Sequence, residues 1–215
     1  MRRTLLLATC LGLAACASRP VPVAVIVPPT PPVAATPAFA GYGNLTIPPR
    51  LPDGGYATPN ATVSAAGALW HVRAGLNVAA LSCRDADEAA LVASYNAFIR
   101  THAASFDKSY RALGQEYGGV AAFDEAMTRL YNYYALPPAQ AGLCAAARAV
   151  LAELAAVPAG GLEPIAGATL ARLDQPYRTV FAAQDAWLAT RYAANSPAVA
   201  ALPRIEVDRS ALFRP

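Results

Sequence analysis

The sequence predicts an all-α protein whose main domain is an antiparallel bundle of four to five helices. Apolar residues recur at spacings of three and four through residues 62–194, which is the period of one helix face. Of the 19 prolines, 11 lie between Pro20 and Pro59, and none lies between Asn60 and Leu136. The chain also contains 52 alanines, so its 55% hydrophobic content overstates the supply of large core side chains. This hydrophobic content therefore does not indicate a series of membrane-spanning helices.

The first two helices are predicted from stripes of apolar residues. One helix is expected over residues 62–82, with Leu69, Val72 and Leu76 on one face. The second stripe consists of Leu91, Tyr95, Phe98, His102, Phe106, Tyr110, Leu113 and Tyr117. It predicts one long helix over about residues 86–117, some 45 Å in length at about 1.5 Å per residue. A kink near His102 is the alternative.

Prolines set the boundaries of the remaining predicted helices. The third helix must end before Pro137, because the residue preceding a proline is disfavoured in a helix. The fourth begins with Pro138 in its first turn and ends before Pro158. A short helix over about residues 164–173 and a last helix opening at Pro176 are predicted to be separate.

Two segments flank this helical domain. Residues 43–61 are expected to form either a small β-hairpin, with a turn at Asp53-Gly54-Gly55, or an irregular arm that packs on the helices. Residues 195–215 are predicted to form an extended tail, with a short strand as the alternative.

The first residues of the chain have the pattern of an export signal. Arg2 and Arg3 precede a short apolar stretch, and Leu13-Ala14-Ala15-Cys16 follows. This last motif resembles the lipobox of bacterial lipoproteins. The resemblance implies that residues 1–15 are a cleaved signal peptide and that Cys16 carries a diacylglycerol and a further fatty acid such as palmitate.

The resemblance also implies a location. Ala17 follows the anchor Cys16 in place of the Asp that retains members of this family in the inner membrane. We therefore expect an anchor in the outer membrane, with the protein on its periplasmic face. Proline-rich residues 16–42 are predicted to act as an extended tether. The segments 74–83, 130–132 and 137–140 resemble helical lipoproteins of alphaproteobacteria of unknown function, and this resemblance implies no activity.

Two cysteines, Cys83 and Cys144, remain once Cys10 leaves with the signal and Cys16 is lipidated. Export places them in an oxidising compartment, where an even pair favours a disulfide bond. A redox pair or a thiol nucleophile is the alternative. However, the two cysteines lack the Cys-x-x-Cys spacing that is typical of redox pairs.

Familiar catalytic and cofactor motifs are absent from the sequence. It contains no Gly-x-Ser-x-Gly elbow, no His-Glu-x-x-His motif and no phosphate-binding loop. The two histidines, His71 and His102, are interpreted as core or boundary residues rather than metal ligands. The net charge of +3 is too small to indicate a nucleic-acid partner. We therefore predict no cofactor, no metal and no nucleic acid.

Two groups of residues are candidates for function. Trp70, Arg73 and Asn77 share one helix face and, with Tyr131, could line a polar-aromatic groove for glycan or peptide. The alternative is that the Arg and Asn tie helix ends and the preceding arm together.

The second candidate is Glu116. A Glu that ends a helix in an α-helical domain resembles the arrangement in lysozyme-like transglycosylases. However, Tyr117 follows it where that family has Ser. The sequence thus favours a non-enzymatic envelope scaffold or binding module, whose partner is an envelope protein or peptidoglycan. A peptidoglycan-cleaving enzyme with Glu116 as general acid is the alternative.

Overall fold

The computed structural model of the protein describes residues 45–195, and within this range the fold is an all-α helical bundle. The predicted fold class is therefore confirmed, although the described range contains six α-helices rather than four or five. They are α1 (Ala65–Ser82), α2 (Glu88–Thr101), α3 (Ala103–Glu116), α4 (Val120–Tyr134), α5 (Gln140–Leu154) and α6 (Ala166–Asn195). Short 3₁₀ turns at Pro137–Ala139 and Glu163–Ile165 precede α5 and α6.

Helix α1 lies at the centre of the bundle, in contact with each of the other five α-helices. It begins after Ser64, whose Oγ accepts a hydrogen bond from the Gly67 N–H at 3.0 Å. Of its 18 residues, 11 are buried, and many of these are Ala or Gly. Small residues let the neighbouring helices approach closely. A Cβ on Gly75 would lie only 2.8 Å from the Tyr134 ring, so glycine is required at this position.

The predicted long helix over residues 86–117 is not one element, because it breaks at His102 into α2 and α3, as in the alternative with a kink near His102. Helix α2 packs on α1 and α5, whereas α3 packs on α1 and α4. The break thus lets the two halves pack on different neighbours of α1.

The predicted boundary at Pro176 is also wrong, because α6 continues through this proline. A proline inside a helix removes one hydrogen bond and costs about 3 kcal/mol. The buried face nevertheless runs on without a gap through Leu170, Leu173, Tyr177 and Phe181. Pro176 itself packs on α5, where a Cβ on Gly142 would lie 2.7 Å from its own Cβ. Burial along this face offsets the lost hydrogen bond.

The described part of the arm, residues 45–61, forms one tight turn joined by a single antiparallel bridge between Arg50 and Tyr56. Gly54 occupies the left-handed region with φ of 83°. The arm is fastened to α6 by Asp185, whose Oδ2 accepts hydrogen bonds from Tyr56 and Arg50, both at 2.8 Å. Burial, with a smaller contribution from Asp185, raises the pKa of Tyr56 to about 12. The phenol therefore stays protonated and can donate.

The cysteine pair joins the end of α1 to the first turns of α5. The Sγ atoms of Cys83 and Cys144 are 1.98 Å apart, which is the distance of a disulfide bond. The two residues are 61 positions apart in the chain, so a bond between them closes a long loop.

Several predictions fall on segments outside the described residues. These are the signal peptide 1–15, the anchor Cys16, the tether 16–42 and the tail from residue 196 onward. Within the described range, no helix is both long and apolar enough to cross a membrane.

Candidate functional site

The structure brings the four predicted binding residues to one half-buried face. Trp70, Arg73 and Asn77 lie on α1, and Tyr131 lies on α4. The Arg73 guanidinium is 4.6 Å above the centre of the Trp70 ring, within range of a cation–π contact. The Trp70 indole N–H donates to the Met127 Sδ at 3.1 Å, which joins α1 to α4.

Tyr95, on α2, completes this polar group. Burial raises the pKa of Tyr95, whereas the Arg73 charge and the Asn77 side chain lower it, and Tyr131 raises it slightly. Arg73, Asn77 and Tyr131 therefore act on the ionisation of the Tyr95 hydroxyl. The alternative interpretation, in which Arg73 and Asn77 tie helix ends and the preceding arm together, stays a prediction. Arg73 also lies 6.0 Å from the centre of the Phe106 ring on α3.

Tyr110 extends the same face and was not predicted as part of it. The sequence placed Tyr110 in the apolar stripe with the buried residues, but in the structure this residue is 49% exposed. Its ring centre is 5.2 Å from that of Trp70 and 5.2 Å from that of Phe123. We call Trp70, Arg73, Asn77, Tyr110 and Tyr131 the aromatic face.

A buried carboxylate forms a second group that sequence reasoning missed. Asp174, on α6, is only 2% exposed. Its Oδ1 accepts hydrogen bonds from Tyr133 at 2.6 Å, Asn60 at 2.8 Å and Thr58 at 3.3 Å. Its Oδ2 accepts from the Arg178 Nε at 2.8 Å. A buried charge needs such partners, and these connect the arm to α4 and α6.

His71, on α1, is the other titratable member of this group. Its Nδ1 lies 2.8 Å from the Asn60 Oδ1, which can only accept, so Nδ1 carries the proton. Its Nε2 is buried and has no hydrogen-bond partner within the described range. Burial lowers the pKa of His71 to about 4, against a smaller raising effect of Asp174. The imidazole is therefore neutral at pH 7. We call Thr58, Asn60, His71, Tyr133, Asp174 and Arg178 the Asp174 network.

One signal in the sequence could have identified this network. Asp174 lies four residues after Leu170 and three before Tyr177, so it occupies the buried stripe of α6. A carboxylate in such a position requires a partner, and Arg178 stands one turn further along the same helix. The contributions of Thr58 and Asn60, more than 110 positions away in the chain, carry no such signal.

A cleft of about 420 Å³ borders the Asp174 network. It runs between the first turn of α1 and the N-terminal half of α6, and Asn60, Asp174 and Arg178 form part of its wall. A smaller pocket of about 210 Å³ lies between α5 and α6, beside the ion pair of Glu153 with Arg172.

Glu116, the predicted general acid of the alternative function, is exposed at the end of α3. Its Oε2 accepts a hydrogen bond from the Ser64 Oγ at 2.9 Å. It lines neither the 420 Å³ cleft nor the 210 Å³ pocket. Among residues 45–195 we also find no cluster of three His, Cys, Asp or Glu side chains that could hold a metal ion.

Comparison of the chain with protein-family models, with curated proteins and with solved structures finds no match.

Proposed function

We propose that this chain is a non-enzymatic lipoprotein of the outer membrane, whose helical domain faces the periplasm and binds an envelope partner. The lipobox-like motif Leu13-Ala14-Ala15-Cys16 supports lipid attachment, and Ala17 supports sorting to the outer membrane. Two or more acyl chains anchor a protein stably, because each buried CH₂ contributes about 0.8 kcal/mol. The proline-rich tether then gives the domain reach from the membrane surface.

The observation that supports a binding role best is the half-buried stack of Arg73 on Trp70, with exposed Tyr110 beside it. Trp, Tyr and Arg are the residues that most often dominate the free energy of protein interfaces. Here they occur together, and their rings are already held in place by Met127 and Phe123. A partner would therefore bind to side chains that lose little conformational entropy. The partner is an envelope protein or peptidoglycan.

The test is crosslinking in intact envelopes, followed by recovery of the full chain and its crosslinked protein or glycan. We expect Tyr110→Ala to reduce the recovered partner about tenfold, which corresponds to about 1.4 kcal/mol of binding free energy. Tyr192→Ala is the matched control, because Tyr192 is 70% exposed but lies on α6. Cys16→Ala should abolish acylation of the chain, which mass spectrometry measures. Equal recovery from the Tyr110 and Tyr192 variants would contradict the aromatic face as the binding surface.

The same preparation separates this proposal from peptidoglycan cleavage by Glu116. Purified sacculi embedded in a gel report cleavage as a cleared zone. We expect no clearing by the wild-type chain. Clearing that disappears in Glu116→Gln would instead establish the enzymatic alternative.

A further inference from the structure

Helix α1 is covered by its neighbours on every side except one. Over residues 67–81 of this helix, the side chains that are not buried are those of Trp70, Arg73, Asn77 and Leu81. Their spacings of three, four and four residues place them in one stripe, about 16 Å long. Three of them belong to the aromatic face, and Leu81, which is 64% exposed, extends that face toward the end of α1.

This stripe lies between α2 and α4. On the α2 side it meets Tyr95, whose ionisation is influenced by Arg73 and Asn77. On the α4 side, the Trp70 indole donates to Met127. Helices α2 and α4 both pack on α1, but they do not pack extensively on each other. This side of α1 is therefore open to a further element that packs between them.

Arg73 is the charged residue of the stripe, and in the described part of the chain its charge has no counter-ion. Among residues 45–195, neither a hydrogen bond nor an ion pair of its guanidinium is found. The guanidinium lies instead 4.6 Å from the centre of the Trp70 ring and 6.0 Å from that of Phe106. Contacts with rings stabilise a cation but use none of its N–H donors. These donors therefore remain available to a ligand.

The unpaired charge of Arg73 selects among the partners that could cover this face. Such a partner would remove the guanidinium from water. A charge that loses its hydration without gaining an opposite charge is strongly unfavourable. A wholly apolar partner would therefore bind poorly, whereas a carboxylate that faces Arg73 would form charge-assisted hydrogen bonds with it.

The surroundings of Arg73 favour a protein helix over a glycan. A sugar stacks on a free face of an aromatic ring, but Arg73 covers one face of the Trp70 ring and Tyr110 packs against it. The indole N–H is already bonded to Met127, and exposed Leu81 offers a sugar no hydrogen bond. A helix, in contrast, repeats one face every three to four residues, which matches the spacing of the stripe.

We propose that the aromatic face binds an α-helix of a partner protein that carries one Asp or Glu between apolar residues, with the carboxylate on Arg73. This inference rests on the proposed function, because it names the partner of the same face. Leu81 lies eight residues, or about 12 Å, beyond Arg73, and Trp70 lies three residues before it. In the partner helix, apolar residues should lie about two turns from the carboxylate on one side and about one turn on the other.

Carbodiimide crosslinking in intact envelopes tests for the carboxylate directly. The reagent joins a lysine amine to a carboxylate in contact with it through an amide bond, and it takes up the released water to become a urea. Lys108 is the single lysine of the chain, so Arg73→Lys combined with Lys108→Arg moves the one lysine amine to the stripe. We expect a crosslink to an Asp or Glu side chain of the partner, identified by mass spectrometry of the crosslinked peptides.

The matched control is Arg191→Lys combined with Lys108→Arg. The Arg191 guanidinium also lies over a tryptophan ring, 4.7 Å from the centre of Trp187, but on α6. We expect no crosslink from this variant to the same partner. Crosslinks of equal yield from the two variants would overturn the proposal. So would a crosslink from the Arg73→Lys variant to a peptidoglycan fragment instead of a protein.

Arg73→Gln distinguishes failure of this inference from failure of the proposed function. In the envelope crosslinking assay, Arg73→Gln should reduce the recovered partner at least tenfold, whereas Arg191→Gln should not change its recovery. If Tyr110→Ala loses the partner but Arg73→Gln retains it, the face binds without a carboxylate and this inference alone fails. If none of these variants changes recovery, the proposed function fails with it. Urea unfolding checks that Arg73→Gln keeps the wild-type stability, and the carbodiimide crosslink decides the matter if it does not.

Discussion

Two of the long-range connections in this bundle differ in their physical nature. The pair of Cys83 and Cys144 joins α1 to α5 through sulfur. The Asp174 network joins the arm to α1, α4 and α6 through hydrogen bonds and one ion pair. A disulfide acts mainly by restricting the unfolded chain, whereas a buried network acts in the folded state and depends on protonation. The difference predicts distinct responses to mutation and to pH.

The largest effect is expected from loss of the cysteine pair. Closing a loop of 61 residues is worth about 4 kcal/mol in the chain-entropy model. Changing both Cys83 and Cys144 to Ser should lower the free energy of unfolding in urea by about this amount. A reductant should lower the free energy of unfolding of the wild-type chain by the same amount. It should leave that of the double variant unchanged. If reductant does not change the stability of the wild-type chain, Cys83 and Cys144 are not covalently bonded.

The next largest effect is expected from Asp174→Ala. This change leaves the Tyr133 hydroxyl and the Asn60 amide without their acceptor in a buried site. We expect a loss of about 3 kcal/mol in the free energy of unfolding, measured in urea. Asp124→Ala, at an exposed position on α4, is the control and should change stability by less than about 0.5 kcal/mol. Equal stability of the two variants would show that the network contributes nothing.

The smallest of the three effects concerns pH and His71. The unfolded imidazole has a pKa of 6.5, and burial lowers the folded pKa to about 4. Between these values the unfolded state binds the extra proton, so stability falls as pH decreases. From pH 7 to pH 5 this loss should amount to about 2 kcal/mol.

The measurement is urea unfolding at a series of pH values for the wild-type chain and for His71→Gln. Below pH 6.5 the free energy of unfolding of the wild-type chain should fall more steeply than that of His71→Gln. His102 is present in both proteins, so its contribution cancels in the comparison. The Cys83 and Cys144 double variant should instead run parallel to the wild-type curve. If the stability of His71→Gln falls with pH in parallel with that of the wild-type chain, the imidazole does not couple the network to pH.

The residue pattern identified features that depend on local physics. Periodic apolar residues predicted the helical stripes, since a helix must bury one face. The end of α1 at Ser82 and the end of α4 before Pro137 agree with the predicted boundaries. The pairing of Cys83 with Cys144 followed from elimination and compartment, and the structure places their sulfur atoms at bonding distance.

The sequence offered the break at His102 only as an alternative, and it did not predict the continuity at Pro176. His102 has no helix-breaking chemistry, but the break there lets α2 pack on α5 and α3 pack on α4. Pro176 does disfavour a helix, but burial of Tyr177 and Phe181 and the contact with Gly142 outweigh that preference. Both outcomes depend on the lengths and surfaces of neighbouring helices, which lie far away in the chain.

The candidate sites show the same difference between local and long-range features. The sequence alone determined the helical class, the lipobox-like motif and the grouping of Trp70, Arg73 and Asn77, because each depends on residues close together in the chain. Only the tertiary structure added Tyr110 to the aromatic face and joined Asn60 to Asp174 across 114 positions. Hydrogen bonds of that range form only after the core has packed. For this reason the buried carboxylate and the cleft beside it were decided by the fold.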